Sequence, residues 1–352
     1  MDLTIPAVIQ AAIDRGAAVA ISVSAGKDSQ AMERALSSLH EKNNWPGSFF
    51  AIHADIGPEF DWVWTLQLCE RNAKALGHTL HVVRRDNGET LLQTIQKRVG
   101  VTGRDKPGFP SPACRYCTRS AKTDPIDKFL RRTSDLVINV MGLRADESRI
   151  RAKRPEVSVR EGITAERLKK LAPEEALKAW RPDKERLALD WNPILEWTFA
   201  QVLEACGTTY SEMEARRNLF ALGCYDMAFA GWPASPTYIL GLDRHSCAIC
   251  CMSAKPEIPV AGRFRPDLIK AIAEMEQASG FSWQKGNPVS ALLSAEARPI
   301  PAQAHQVQSL PQRYRGGNDA TTHVAYARST AGAGGGGASP SSFTTNAWLP
   351  GA

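Results

Sequence analysis

The chain has 352 residues, of which 43% are hydrophobic and 23% charged, with a formal net charge of +6. That balance excludes a disordered, collagen-like or small disulfide-stapled protein, and the length fits one large domain or two smaller ones. The mild basicity suits a polyanionic ligand such as a nucleotide and permits nucleic acid without requiring it, although solubility alone would give the same value.

No stretch approaches about 18 consecutive apolar residues, so no membrane-spanning helix is expected. The opening MDLTIPAVIQAAIDRG lacks a basic leader and a long apolar core, so it does not read as a signal peptide. A cytoplasmic location is the expectation. Thiols stay reduced there, so the eight cysteines read as ligands, reactive thiols or core residues rather than disulfides.

AVIQAAIDRG reads as a helix, and AAVAISV (17–23) as a short buried strand bounded by turn residues. From Asp28 to about Glu41 the spacing is helical, with Met32, Leu36 and Leu39 on one face. SFFAIHA (48–54) is a second strand, followed by the helix WVWTLQLCERNAKALG ending at Gly77. TLHVVRR is a third strand, TLLQTIQKRVG a helix, and DLVINVMG (135–142) a fourth strand. This alternation predicts an α/β fold, a doubly wound parallel sheet with helices on both faces. Ligands in such sheets sit at the carboxyl ends of the strands. The stretches there, Ser24–Ser29, Asp55–Glu59 and Gly142–Arg151, are polar and charged.

After Arg151 a highly charged stretch reads as an exposed helical insertion or mobile loop at about 151–190 of a 1–205 nucleotide-binding domain. NPILEWTFAQVLEACG restores an apolar helix, cysteines gather in a 206–290 segment, and RPDLIKAIAEMEQASG is the last ordered helix. Residues 291–352 are rich in Ala, Pro, Gln, Ser and Gly and read as a low-complexity, disordered tail.

SVSAGKDS after the first strand is neither a Walker A loop nor a dinucleotide fingerprint: Lys27 precedes Asp28, and no second glycine is correctly spaced. Small residues let backbone N–H groups approach a phosphate, and the helix N-terminus adds partial positive charge. Ser24 and Ser29 can donate to phosphate oxygens, and Lys27 supplies a cation. Asp28 makes sense if Mg²⁺ is held beside the phosphates. A capped strand–helix turn is the bland alternative.

These residues resemble the PP-loop, S-G-G-x-D-S, of the adenine-nucleotide α-hydrolase-like superfamily. Ala25 stands at a usual glycine, which matters only if that position needs positive φ. HADIGPEF resembles the superfamily's H-x-D-x-G-x-E. CRYCTRSAKTDPIDKF, GLRADESRIR and NPILEWT resemble three segments of its phosphoadenosine phosphosulfate (PAPS) reductase branch. The resemblance implies a nucleotide site for ATP or PAPS. Ser24, Gly26, Lys27, Asp28 and Ser29 would hold phosphates, Asp55 would lie near adenosine or metal, and Arg144 and Arg151 would neutralise phosphate or sulfate oxygens. Lys27, Asp28, Arg144 and Glu147 would be the catalytic set, with Glu147 orienting Arg144 or supporting Mg²⁺; otherwise Glu147 is a helix-capping carboxylate.

Cys114-x-x-Cys117 and Cys247-x-x-Cys250 supply four thiols, suited to Zn²⁺ or an iron–sulfur cluster, with Cys224 and Cys251 as competing ligands. Cys69 and Cys206 sit in apolar helical patterns and read as core thiols. SPTYILGLDRHSCAICC resembles the Y-x-x-G-x-x-R-x-S-C-x-x-C region of PAPS-reductase-like proteins related to the DNA phosphorothioation enzyme DndC. That likeness implies a [4Fe–4S] cluster on Cys117, Cys247 and Cys250, with Cys224 or Cys114 as the fourth ligand and Zn²⁺ as the alternative. True PAPS reductases carry a catalytic cysteine in an E-C-G-x-H segment, which is not found here.

The expected function is therefore a PP-loop ATP pyrophosphatase that adenylates an acceptor for sulfur transfer or nucleic-acid modification. DNA, tRNA and a small metabolite are the candidate acceptors, and a cysteine desulfurase is a candidate sulfur donor. The basic run Arg149–Arg160 either contacts nucleic-acid phosphates or is a solvated loop. The alternatives are PAPS or adenylylsulfate reduction, and a non-catalytic nucleotide or nucleic-acid binding module.

Overall fold

The computed structural model describes residues 3–294, 298–305 and 324–326. Helix α1 (Ala7–Asp14) leads into β1 (Ala18–Ser22), then α2 (Lys27–Asn43), β2 (Phe49–Ala54), α3 (Thr65–Ala75), β3 (Thr79–Val83) and α4 (Leu91–Thr102). A short helix α5 (Tyr116–Thr118) continues through a π-helical turn, Arg119–Thr123, into α6 (Asp124–Thr133) and β4 (Leu136–Met141). Next come β5 (Val157–Val159), α7 (Pro173–Ala179) and β6 (Leu187–Trp191). The chain goes on through α8 (Phe199–Ala205), α9 (Tyr210–Ala221), α10 (Tyr225–Phe229), α11 (Glu257–Phe264), α12 (Pro266–Ser279), α13 (Ala302–His305) and β7 (Val324–Tyr326).

The seven strands form one sheet in the order β5-β6-β4-β1-β2-β3-β7, parallel except for β5. The α/β class and the parallel sheet are as expected. β1 lies at the centre with Ala18, Val19, Ala20 and Ile21 all buried, because helices cover both faces; such strands read as continuous apolar runs. The chain moves outward from β1 to β3, then returns to place β4 on the other side of β1. The connections therefore diverge between β1 and β4, where open α/β sheets bind ligands. No helix among the described residues is long and apolar enough to cross a membrane.

The charged stretch at 151–190 is not merely an insertion. It contains α7 and β5, and LALDW at its end is β6, paired along β4 from Leu136↔Leu187 to Val140↔Trp191. Leu187, Ala188, Leu189 and Trp191 are fully buried, but Lys184, Glu185 and Arg186 directly before them hide the run in any charge-averaged window. The one acid within it, Asp190, accepts from Arg160 at 2.8 Å and Asn139 at 2.7 Å. α13 and β7 fall in the stretch expected to be a disordered tail; the rest of that expectation lies largely outside the described residues.

Candidate nucleotide site

Ser24, Ala25 and Gly26 make a tight turn between the end of β1 and the start of α2. Ala25 has φ +58°, so the position usually held by glycine does take the left-handed conformation. The Ser24 amide donates to Ser29 Oγ at 3.2 Å, and Ser29 Oγ donates to the Gly26 carbonyl at 3.0 Å, which closes the loop on itself. Gly142, after β4, has no room for a side chain: a Cβ there would lie 2.9 Å from the Asp28 carbonyl carbon and oxygen. The first turn of α2 can therefore press against the β4 exit.

Lys27 is buried. Its ammonium lies 5.4 Å from the Phe199 ring centre and 5.5 Å from that of Tyr238, and pairs with Asp28 Oδ2 at 3.1 Å. The other Asp28 oxygen accepts from Arg144 Nε at 2.5 Å, and Arg144 also reaches Asp146 at 2.5 Å. Arg151 pairs with Glu147, and the Glu147 carbonyl accepts from Arg244 at 3.3 Å. Burial lowers the pKa of Arg151, and the facing Arg244, Arg115 and Arg144 lower it further against the pull of Asp28. Arg144 thus holds Asp28 directly, Arg151 lies close to both with Arg115 and Arg244 facing it, and Asp146 and Glu147 pair with Arg144 and Arg151.

The structure brings Ser24, Gly26, Lys27, Asp28, Ser29, Arg144, Glu147 and Arg151 together. Asp55 lies after β2, with its carboxylate committed to a turn: Oδ1 accepts from the Gly57 amide at 2.9 Å and Oδ2 from Arg84 at 2.7 Å. Arg115, Phe199, Tyr238 and Arg244 also belong to the site. Sequence reading gave them no role, although Arg115, Tyr238 and Arg244 lie inside motifs it had singled out.

All eight cysteines are free. Cys69 and Cys206 are core thiols, as expected: burial drives the Cys69 thiol well up and that of Cys206 to about 12. In the other group, Cys251 lies beside Cys117 and Cys250, and sharing one proton among the three lowers the Cys117 and Cys250 thiols while pushing Cys251 far up. Burial raises Cys247 to about 12. Lys122 faces Cys247, Cys250 and Cys117, and its pKa is raised chiefly by Cys247. Cys224 is exposed at the N-terminus of α10, and Cys114 is exposed before α5. The thiol beside both Cys117 and Cys250 is therefore Cys251, one of the competing ligands, rather than Cys224 or Cys114. These soft donors suit zinc or an iron–sulfur cluster in kind. As placed they make pairwise contacts, and no group of three or more His, Cys, Asp or Glu among the described residues is disposed to hold a metal ion.

A tight loop at the switch point of a doubly wound sheet, with arginines beside it, defines a nucleotide-binding α/β protein. The phosphoadenosine phosphosulfate reductase domain matches residues 18–215, and the chain belongs to that family. No curated protein matches it.

Proposed function

We propose that the protein is a PP-loop enzyme that cleaves ATP between its α- and β-phosphates and adenylates an acceptor. An acceptor oxygen attacks the α-phosphorus, the bond to the bridging β-phosphate oxygen breaks, and pyrophosphate leaves with the electron pair. The observation that supports this best is the Asp28 carboxylate, held between Lys27 and Arg144 with Arg151 nearby. Arginines alone would suit any polyanion. A carboxylate among them suits Mg²⁺, which needs only one or two protein carboxylates beside substrate phosphates. Loop amides and arginines would stabilise the charge that develops on pyrophosphate.

The acceptor we favour is DNA or tRNA, with sulfur from a donor protein such as a cysteine desulfurase replacing the adenylate. A [4Fe–4S] cluster, or alternatively zinc, on Cys117, Cys247, Cys250 and a further thiol would supply a sulfur-binding or structural centre. No step above depends on it.

A second reading is reduction of PAPS or adenylylsulfate, for which a thiol of the Cys117, Cys250 and Cys251 group would be the nucleophile. One experiment separates the two. The protein is incubated with Mg²⁺ and ATP, with or without DNA or tRNA, and in parallel with PAPS or adenylylsulfate plus a dithiol reductant. Pyrophosphate release from ATP is the expected result. Sulfite release from the sulfonucleotides, without pyrophosphate from ATP, would overturn the first reading. ATP binding with neither product would make the chain a binding module, a role the strained Ala25 would fit.

A further inference from the structure

Three contacts join the nucleotide loop to the segment carrying Cys247, Cys250 and Cys251. The amide of Lys27, one of the otherwise unbonded N–H groups at the start of α2, donates to the Tyr238 hydroxyl at 2.8 Å. The same oxygen takes a backbone hydrogen bond from His245. Gly26 packs directly on His245: a Cβ added at Gly26 would lie 3.6 Å from the His245 Cβ. His245 is itself fastened on both sides, through Nδ1 to Ser235 Oγ at 2.8 Å and through Nε2 to Thr65 Oγ1 at 3.2 Å. Three residues further on, the Ala248 amide donates to the Phe60 carbonyl at 2.7 Å. Tyr238 is buried at 1% exposure, so water does not compete for its hydroxyl.

We infer that Tyr238 is a positioning residue that ties the backbone of the Cys247–Cys251 segment to the nucleotide loop, so that nucleotide in the loop orders this segment. The inference rests on the nucleotide reading above. Phosphates arriving at the start of α2 seek the amides there. The Lys27 amide is already shared with Tyr238, so any shift of that turn must move the phenol or its bond to His245. The ammonium of Lys27, lying near the Tyr238 ring, gives the nucleotide a second handle on the same side chain.

Hydrogen–deuterium exchange of peptides spanning 242–251 tests this on the full-length protein, with and without Mg²⁺ and ATP, alongside a calorimetric ATP titration. In the wild type, ATP is expected to slow exchange of this segment several-fold. At ATP concentrations that saturate Tyr238→Phe in the titration, the protection of 242–251 should fall below twofold while protection at the loop itself persists. Equal protection in both proteins, or ATP binding that leaves 242–251 unchanged in the wild type, would overturn the inference and leave the nucleotide reading standing. No ATP binding by the wild type would overturn both. Should Tyr238→Phe fail to fold, the wild-type result decides.

Discussion

Replacing Asp28 by Asn would test the electrostatic centre of the site, because it removes the charge and little else. The Lys27 and Arg144 side chains are each 4% exposed and meet on a carboxylate that is 16% exposed. Breaking a buried pair by neutralising one partner costs about 3–5 kcal/mol, most of it from the charge left uncompensated. Here the cost is smaller. Arg144 keeps Asp146, and the asparagine oxygen still accepts one hydrogen bond. About 2–3 kcal/mol is therefore expected, which at roughly 2–4 °C per kcal/mol lowers the Tm of the free protein by about 5–10 °C. ATP phosphates would replace the missing counter-charge. Differential scanning fluorimetry should show Mg²⁺-free ATP raising the Tm of Asp28→Asn more than that of the wild type. Pyrophosphate release with Mg²⁺ should nonetheless fall by about 10²-fold, because the carboxylate that would anchor Mg²⁺ is gone. An unchanged Tm in the free variant together with intact turnover would refute both the pairing energy and the metal role.

Ala25 takes the left-handed conformation with its methyl buried. Ala25→Gly relieves about 1–2 kcal/mol of strain but loses about 0.8 kcal/mol of methyl burial and about 0.4–1 kcal/mol through the unfolded chain. Urea denaturation should place it within about 1 kcal/mol of wild type, while the β-branched Ala25→Val should lose at least about 2 kcal/mol. Burial lowers the pKa of His81, whose ring lies against Phe50 and Phe129. The unfolded chain therefore binds this proton more readily, so the His81 contribution is neutral above the ordinary value of 6.5 and destabilising as pH falls below it. The denaturation midpoint should drop between pH 7.5 and 5.5 less steeply in His81→Phe than in wild type, and an equal slope would count against this assignment. Anaerobically purified protein should carry about four irons and four labile sulfides, lost in Cys247→Ser. One zinc without sulfide would make the cysteines a structural clip, and neither metal would remove the metal proposal.

Most of the sheet was legible as short apolar runs. β1, β2 and β4 read as apolar runs because helices cover them above and below, and the loop after β1 declared itself through Gly26, Lys27 and Asp28. β6 was illegible because its neutralising partners come from elsewhere. Asp190 is acceptable beside four buried apolar residues only because Arg160 and Asn139 meet it, and neither pairing is visible from local spacing.

The site divides along the same line. Ser24, Lys27, Asp28, Arg144, Glu147 and Arg151 come from two stretches whose order and spacing point to phosphate chemistry, and the parallel pairing of β1 with β4 brings those stretches together. Tyr238 contacts Lys27 across 211 residues, and a phenol that caps a helix amide has the same sequence signature as one that fills a core. The cysteines show the limit most sharply. Cys224, Cys251 and Cys114 competed for the fourth place, and the resemblance pointed to Cys224 or Cys114. The chain instead turns at Cys250 and Cys251 so that the second of these adjacent thiols touches both Cys117 and Cys250. Which thiols meet depends on how the 247–251 turn lies against the loop after β2, where Ala248 is held by Phe60. That is a tertiary contact, and the hydrogen bond that makes it is between backbone groups, which every residue type carries.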